Sequence, residues 1–419
     1  MDDPEPGVAA PQDVGWRLLP IYISAGILLA GNGLLVTLVA VRAGIEGFGD
    51  TFIGLVGAAY FTGFLIACIV TPKLIQRAGH IRVFAALSAG AAVSALIMVM
   101  WVTPESWLAA RLISGFCFCG TATVLESWLN AKADNANRGR LLGVYRVVDL
   151  GSVTSGQFML PIIGTGGFQI FVFAGMLLAG ALIPVSLSRQ VSPPPPRSAR
   201  VRPKQIWTIS PAAAFGCLSL GLTNSAFRAV GPIYAQKMGL GVDQVALFIS
   251  LGVLGGAIMN YPIGMLSDRF DRRIVLMAVT ASAAAASLFL ASNTTISGIL
   301  FGSLLFGGFA LPLYSLSVAH ANDHATPDQA VELAAGLILF YGLGAIVGPF
   351  LSSVIIDKFG PQAFFVYIAT VHAVLILFVL WRMTRRAAVP PKLRRRYVGL
   401  LRTSPMFVRL AMGRRRWHS

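Results

Sequence analysis

Very few ionisable side chains interrupt the long apolar stretches of this 419-residue sequence, and those few are where chemistry would reside. Asp149 is foremost among them. It lies well inside an apolar stretch and, on a helix, shares a face with Tyr145, Ser152 and Gly156. A carboxylate whose desolvation changes with its surroundings can take up and release a proton. Arg146, one turn earlier, favours the charged form, so a static Asp149–Arg146 ion pair and direct contact with a ligand are the alternatives. Glu126 falls at about the depth of Arg146 on the preceding stretch, where it either pairs with that arginine or reaches interfacial water. Arg111 sits near the other end of the same stretch, able to face inward or to snorkel. Asn32, between Gly31 and Gly33, and Asn224, with Arg228 one turn beyond, offer amides to a ligand or to a neighbouring helix.

The elements that hold these groups are membrane helices. Hydrophobic residues make up 56% of the chain and charged ones 12%, against about a quarter charged in a soluble domain. Uncharged runs long enough to cross a bilayer begin near Leu18, Thr51, Val83, Leu150, Gln205, Gln244, Leu333 and Phe359, with one long run from Ile274 to Asn322. Two runs are too long for one span. They break at Gly164-Thr165-Gly166-Gly167 and near Asn293-Thr294-Thr295. With the charged stretch from Trp107 to Leu129, the reading is an all-α membrane protein of twelve spans. The N-terminus has no basic segment ahead of its first apolar stretch, so that stretch reads as a span and not a cleaved signal.

Lys and Arg gather in alternate loops, which assigns those loops and both termini to the cytoplasm of a bacterial inner membrane. The net charge of +16 follows from this topology and from the basic tail, so nucleic acid is not an expected partner. The tail, with Lys392, Arg394, Arg395 and Arg396, is expected to lie on anionic lipid headgroups. The four cysteines, Cys68, Cys117, Cys119 and Cys217, fall in apolar runs without metal-ligand spacing. No phosphate-binding G-x-x-x-x-G-K-[ST] loop occurs, so ATP-driven transport lacks its motor, and no cofactor is expected. No cluster of acids, His and Cys suggests an enzyme.

A proline-rich basic linker, 189–205, divides the sequence into bundles 18–188 and 206–381, flanked by segments 1–17 and 382–419. Shifting the second half over the first by 192 residues superposes Asn32 on Asn224, Gly63 on Gly255, Arg77 on Arg269, Gly115 on Gly307, Asn130 on Asn322 and Gly156 on Gly348. Such parallel repeats place a binding site at their interface near mid-membrane.

Gly264-Met265-Leu266-Ser267-Asp268-Arg269-Phe270-Asp271-Arg272-Arg273 resembles the G-x-x-x-D-R-x-G-R-R loop of the major facilitator superfamily, with Asp271 at the usual glycine. Pro72 to Arg82 is a degenerate copy with Gln76 in place of the aspartate, and Arg111-Leu112-Ile113-Ser114-Gly115 is similar to the family's R-x-x-x-G element. The stretch from Glu126 to Gln157 resembles a bacterial branch known mostly by homology. The G-x-x-x-G-P element that the family's proton antiporters tend to carry on helix five stands here on helix eleven, Gly344 to Pro349. The resemblance implies that Arg111 faces the cavity. It also implies a cytoplasmic gate in the outward-open state, with Arg77 opposite Asp328 or Glu332, and Asp268, beside Arg269, opposite Arg138 or Arg140. The expected activity is secondary transport of a small organic solute by a monomer, proton-coupled, with efflux ahead of nutrient uptake; a transporter-like sensor is the other class.

Overall fold

The computed structural model describes residues 18–133, 137–188, 193, 202–326, 329–385, 389–390, 394 and 397. Among them the secondary structure is helical throughout. The first half comprises α1 (Leu19–Ile45), α2 (Asp50–Ala78), α3 (His80–Met100), α4 (Pro104–Lys132), α5 (Arg138–Ile163), α6 (Gln169–Gly180) and α7 (Leu182–Ser186). The second comprises α8 (Pro203–Ile209), α9 (Pro211–Ala229), α10 (Gly231–Lys237), α11 (Val242–Arg269), α12 (Arg272–Ser292), α13 (Ile296–Ala310), α14 (Leu313–Asn322), α15 (Ala330–Phe359) and α16 (Gln362–Arg385). Ten spans are long and apolar enough to cross a membrane, counting α6–α7 and α13–α14 as one each. Of the other two, α5 carries Arg138, Arg140, Arg146 and Asp149, and α9 is long and apolar enough only together with α8, from which it is bent by 116°; it runs on into α10 after a break at Val230. Large apolar side chains such as Ile69, Leu254 and Leu377 remain exposed on the bundle's outside, a surface suited to lipid.

The expected breaks are helix ends. Gly164 closes α5 at a φ of 86°, a conformation that glycine adopts without a Cβ penalty, and Thr295 caps α13 by accepting from the Gly298 amide at 3.2 Å.

The two halves repeat one packing scheme. In the first, α1 lies on α5, α2 on α4, and α3 on α6; in the second, α9 lies on α15, α11 on α13, and α12 on α16. The glycines aligned by the 192-residue shift are where these helices cross. A Cβ on Gly63 would strike the Leu112 carbonyl oxygen, and one on Gly255 that of Leu304; Gly115 faces the Tyr60 carbonyl as Gly307 faces that of Gly252. Gly156 against Ala30 and Gly348 against Leu222 repeat the pattern at the α1–α5 and α9–α15 crossings. Small residues let backbones approach closely, the main source of helix association in lipid. Gly63→Ala and Gly255→Ala are each expected to cost about 1–3 kcal/mol by forcing the crossing apart. Thermal unfolding of the purified protein would register this, and unchanged stability in both would remove glycine contact as the basis of the repeat.

Between halves, α2 packs along α15 and α5 along α11. The end of the bundle remote from Asp268 is sealed directly. Lys237 Nζ reaches Asp50 Oδ2 at 2.7 Å, Thr51 donates to Asp357 at 3.4 Å, and Gly54 and Gly57 seat against Ser353 and Pro349.

Candidate binding cavity

A cavity of about 1350 Å³, its open mouth included, lies between the halves. The first half contributes Asn32, Tyr60, Phe61, Phe64, Arg111, Phe118, Arg146, Asp149 and Gln157; the second contributes Phe227, Arg228, Asn260 and Tyr341. The polar members sit on helices that contact their neighbours through backbone at the glycine crossings.

Tyr60 organises one side. Its hydroxyl donates to Asn32 Oδ1 at 3.0 Å, and the Arg111 guanidinium stacks over its ring at 4.3 Å. Arg111 is buried, 3% exposed, and its Nη1 reaches Ser114 Oγ only at 3.4 Å while Nε has no partner. The inward orientation implied for Arg111 is therefore the one observed. Gln157 fixes its amide by donating to the Gly33 carbonyl at 2.9 Å and leaves Oε1 without a hydrogen bond. Asp149 and Arg146 both line the cavity from α5.

Other expected members stand elsewhere. Glu126 is fully buried away from the cavity wall and accepts from the Tyr145 hydroxyl at 3.1 Å, which excludes interfacial water as its environment. Asn224, unlike its repeat mate Asn32, does not line the cavity: it is fully buried, and neither amide atom has a partner. Close packing of α9 on α15 at Gly221, Gly344 and Gly348 covers that stretch of α9, and only beyond it do Phe227 and Arg228 enter the wall. Among the aromatic side chains of the spans, Phe61, Phe64, Phe118 and Tyr341 line the cavity, whereas Trp128 packs on His80 at 5.6 Å and Phe340 on Trp207 at 6.2 Å.

At the Asp268 end, the carboxylate does not reach Arg138 or Arg140 in this conformation. Arg272, one helical turn on, binds it at 3.1 Å, because the chain turn at Asp271 brings the start of α12 back over the end of α11. Arg272 is itself buried, donating to both Asp323 oxygens at 3.0 Å, to the Ala319 carbonyl at 2.9 Å and from Nε to Ser267 at 2.9 Å. Arg77 and Arg269 are exposed and Glu332 is half-buried, with no ion pair between Arg77 and Glu332; Asp328 lies outside the described residues. Asp268 also accepts from the Tyr397 backbone N–H at 2.8 Å, and the Tyr397 hydroxyl donates to Asn260 Oδ1 at 2.8 Å.

Sequence reasoning missed Tyr60, Gln157 and Asn260 as wall residues. Asn260 and Gln157 carried a usable signal, being lone amides in apolar spans; Tyr60 did not stand out among 26 phenylalanines and 9 tyrosines.

The family model of the Major Facilitator Superfamily matches residues 21–252 and 213–414. An uncharacterized MFS-type transporter of Enterobacter sp. (strain 638) is 26% identical over 367 residues, 86% of this chain and 94% of that one. A variant of the nucleoside transporter NupG superposes with a TM-score of 0.75 at 14% identity, covering 87% of this chain and 99% of that one. A bacterial homologue of the human lysosomal transporter Spinster, in an inward-facing and unoccupied conformation, gives 0.68 at 12% identity over 89% and 96%. These solved structures share the fold.

Proposed function

This chain belongs to the major facilitator superfamily, a family of membrane transporters, and from that premise we propose that it exchanges a small organic solute for protons by alternating access. What supports the reading is the cavity between the two halves, sealed at one end by Lys237–Asp50 and carrying Asp149 in its wall. The Lys and Arg distribution supports a cytoplasmic Asp268 end in a bacterial inner membrane, and with that orientation this conformation is closed toward the outside. Rocking of the halves then opens the Lys237–Asp50 end and brings the cytoplasmic gate together, with Arg77 near Asp328 or Glu332 and Asp268 near Arg138 or Arg140. Proton binding at Asp149, with the fixed charge of Arg146 in the same wall and Glu126 as the other buried carboxylate of this half, changes the charge of the wall between the two states. Efflux of an amphipathic solute suits the aromatic lining; uptake is the alternative, and the direction of net flux under an imposed gradient decides between them.

Asp50→Cys with Lys237→Cys, in a protein whose four native cysteines are replaced, tests the alternation. Joining the pair with a short cleavable reagent is expected to stop solute exchange, and cleavage to restore it. Exchange at an undiminished rate in the joined protein would sink the reading.

A further inference from the structure

Charge in the cavity wall does not balance. Arg111, Arg146 and Arg228 face it against Asp149. Arg111 makes no ion pair, and its Nε is buried without a hydrogen bond. Arg228 extends into the cavity from the other half with no ion pair or hydrogen bond among the described residues, within electrostatic reach of the same Tyr60 phenol. Charges inside a membrane normally pair with one another or with carbonyls, so two guanidiniums without an acid leave room for an anion that the protein does not supply. Around them the wall is aromatic, with Phe61, Phe64, Phe118 and Phe227.

Resting on the transporter reading above, we propose that the solute is an organic anion with an aromatic or apolar body. Its planar carboxylate, or another anionic group, lies between Arg111 and Arg228, and its body lies on the phenylalanines. Guanidinium matches such a group with parallel N–H donors, and the Gln157 Oε1 acceptor serves a hydroxyl or N–H on the body. Since the two arginines come from opposite halves, the bound anion bridges them.

The test is thermal unfolding of the purified full chain with three probes of one body at constant ionic strength: naphthalene-2-carboxylate, its amide and the corresponding methylamine. The carboxylate is expected to stabilise in a concentration-dependent manner, the other two not. Arg111→Gln and Arg228→Gln should each weaken its apparent Kd roughly ten- to hundredfold, with Arg228→Lys between. No shift with the carboxylate, an equal shift with the amide, or a shift surviving in both variants would overturn the proposal. Because the readout is equilibrium binding, such a result leaves proton-coupled transport to be judged by flux.

A second observation is independent of the first. Tyr397, beyond the last helix, lies against α11 between Asn260 and Asp268, beside the cavity wall. Its backbone is held by Asp268, its hydroxyl by Asn260 of the cavity wall, and its ring packs on Gly264, where a Cβ would collide with it. Arg394 donates to the Phe270 carbonyl at 2.6 Å, at the same end of α11. Burial pushes the Tyr397 phenol up to about 12, so it remains a donor at neutral pH. Both Asp268 and Asn260 are on α11, and the charge of Arg146 on the facing α5 acts on the phenol. We infer that Tyr397 is an autoinhibitory plug, occupying the mouth in the state in which the bundle leaves it open. Tyr397 must leave before α5 and α11 can close further at the Asp268 end.

Val253→Cys, in the cysteine-replaced protein, reports access to the wall. Tyr397→Ala is expected to raise its labelling rate by a membrane-impermeant maleimide applied from the Asp268 side several-fold, and truncation after Arg385 to do at least as much. An unchanged rate in both, or a rise on truncation alone, would overturn Tyr397 as the plug.

Discussion

Asp149→Asn is expected to abolish accumulation of solute against its gradient while leaving exchange of solute across the membrane measurable. The substitution keeps the shape of the side chain and its position in the wall of the cavity. What it removes is the ability to bind and release a proton. Asp149 lies eleven residues beyond Arg138, the first residue of α5, which is roughly 16 Å along the helix and so close to mid-membrane. It is the one acidic side chain among the described residues that line the cavity. With one proton exchanged per solute, each unit of pH difference sustains at most about a tenfold concentration ratio, the equivalent of roughly 1.4 kcal/mol. The wild-type protein under two units should approach a ratio of about one hundred. The variant should stay near one at any imposed difference, with membrane potential clamped. Accumulation by Asp149→Asn that still follows the pH difference would place coupling elsewhere, and Glu126, buried against Tyr145, would become the next group to replace.

The second large effect concerns stability. Arg272 is 2% exposed and ties three segments together: Asp268 and Ser267 at the end of α11, its own position at the start of α12, and Ala319 and Asp323 at the end of α14. Removing one partner of a buried ion pair costs about 3–5 kcal/mol, because the remaining charge keeps its desolvation penalty without its counter-charge. Arg272→Ala should therefore lose most of that amount in thermal or denaturant unfolding of the purified protein. Arg272→Lys should recover part of it, since an ammonium supplies charge but cannot reproduce the fork that reaches both carboxylates and a carbonyl. In a double-mutant cycle with Asp323→Asn, the coupling should exceed about 1 kcal/mol. A loss below about 1 kcal/mol for Arg272→Ala would mean the pair behaves as a solvated surface contact.

These two residues also mark how far the sequence could be read. Asp149 was visible because a carboxylate in an apolar stretch has few harmless explanations, and it does face the cavity. The repeat was visible for a related reason. Backbone contact between helices demands glycine, and both halves make the same contacts, so Gly63 with Gly255, Gly115 with Gly307 and Gly156 with Gly348 survive at one spacing. Asn32 and Asn224 share that spacing but not an environment. Local packing of α9 on α15 covers Asn224, and nothing in the neighbouring residue types announces this. The partner of Asp268 was obscured because Arg272 approaches it only through the chain turn at Asp271, which also caps α12 through the Arg273 amide at 3.0 Å. The family resemblance directed attention across the mouth to Arg138 and Arg140 instead. Tyr397 was beyond reach. An aromatic residue in a basic tail has no periodicity to exploit, and its contacts with Asn260 and Gly264 span well over a hundred residues of sequence.

In the proposed transport cycle protons and an organic solute cross through one cavity in obligate exchange. Liposomes containing the purified protein and an internal pH dye test it most directly, with membrane potential clamped and solutes added singly from a panel of aromatic anions, their amides and amines. A solute that crosses the membrane is expected to shift internal pH in proportion to its own flux, and Asp149→Asn to uncouple the two. Solute flux with no accompanying proton movement in the wild-type protein would rule out obligate exchange.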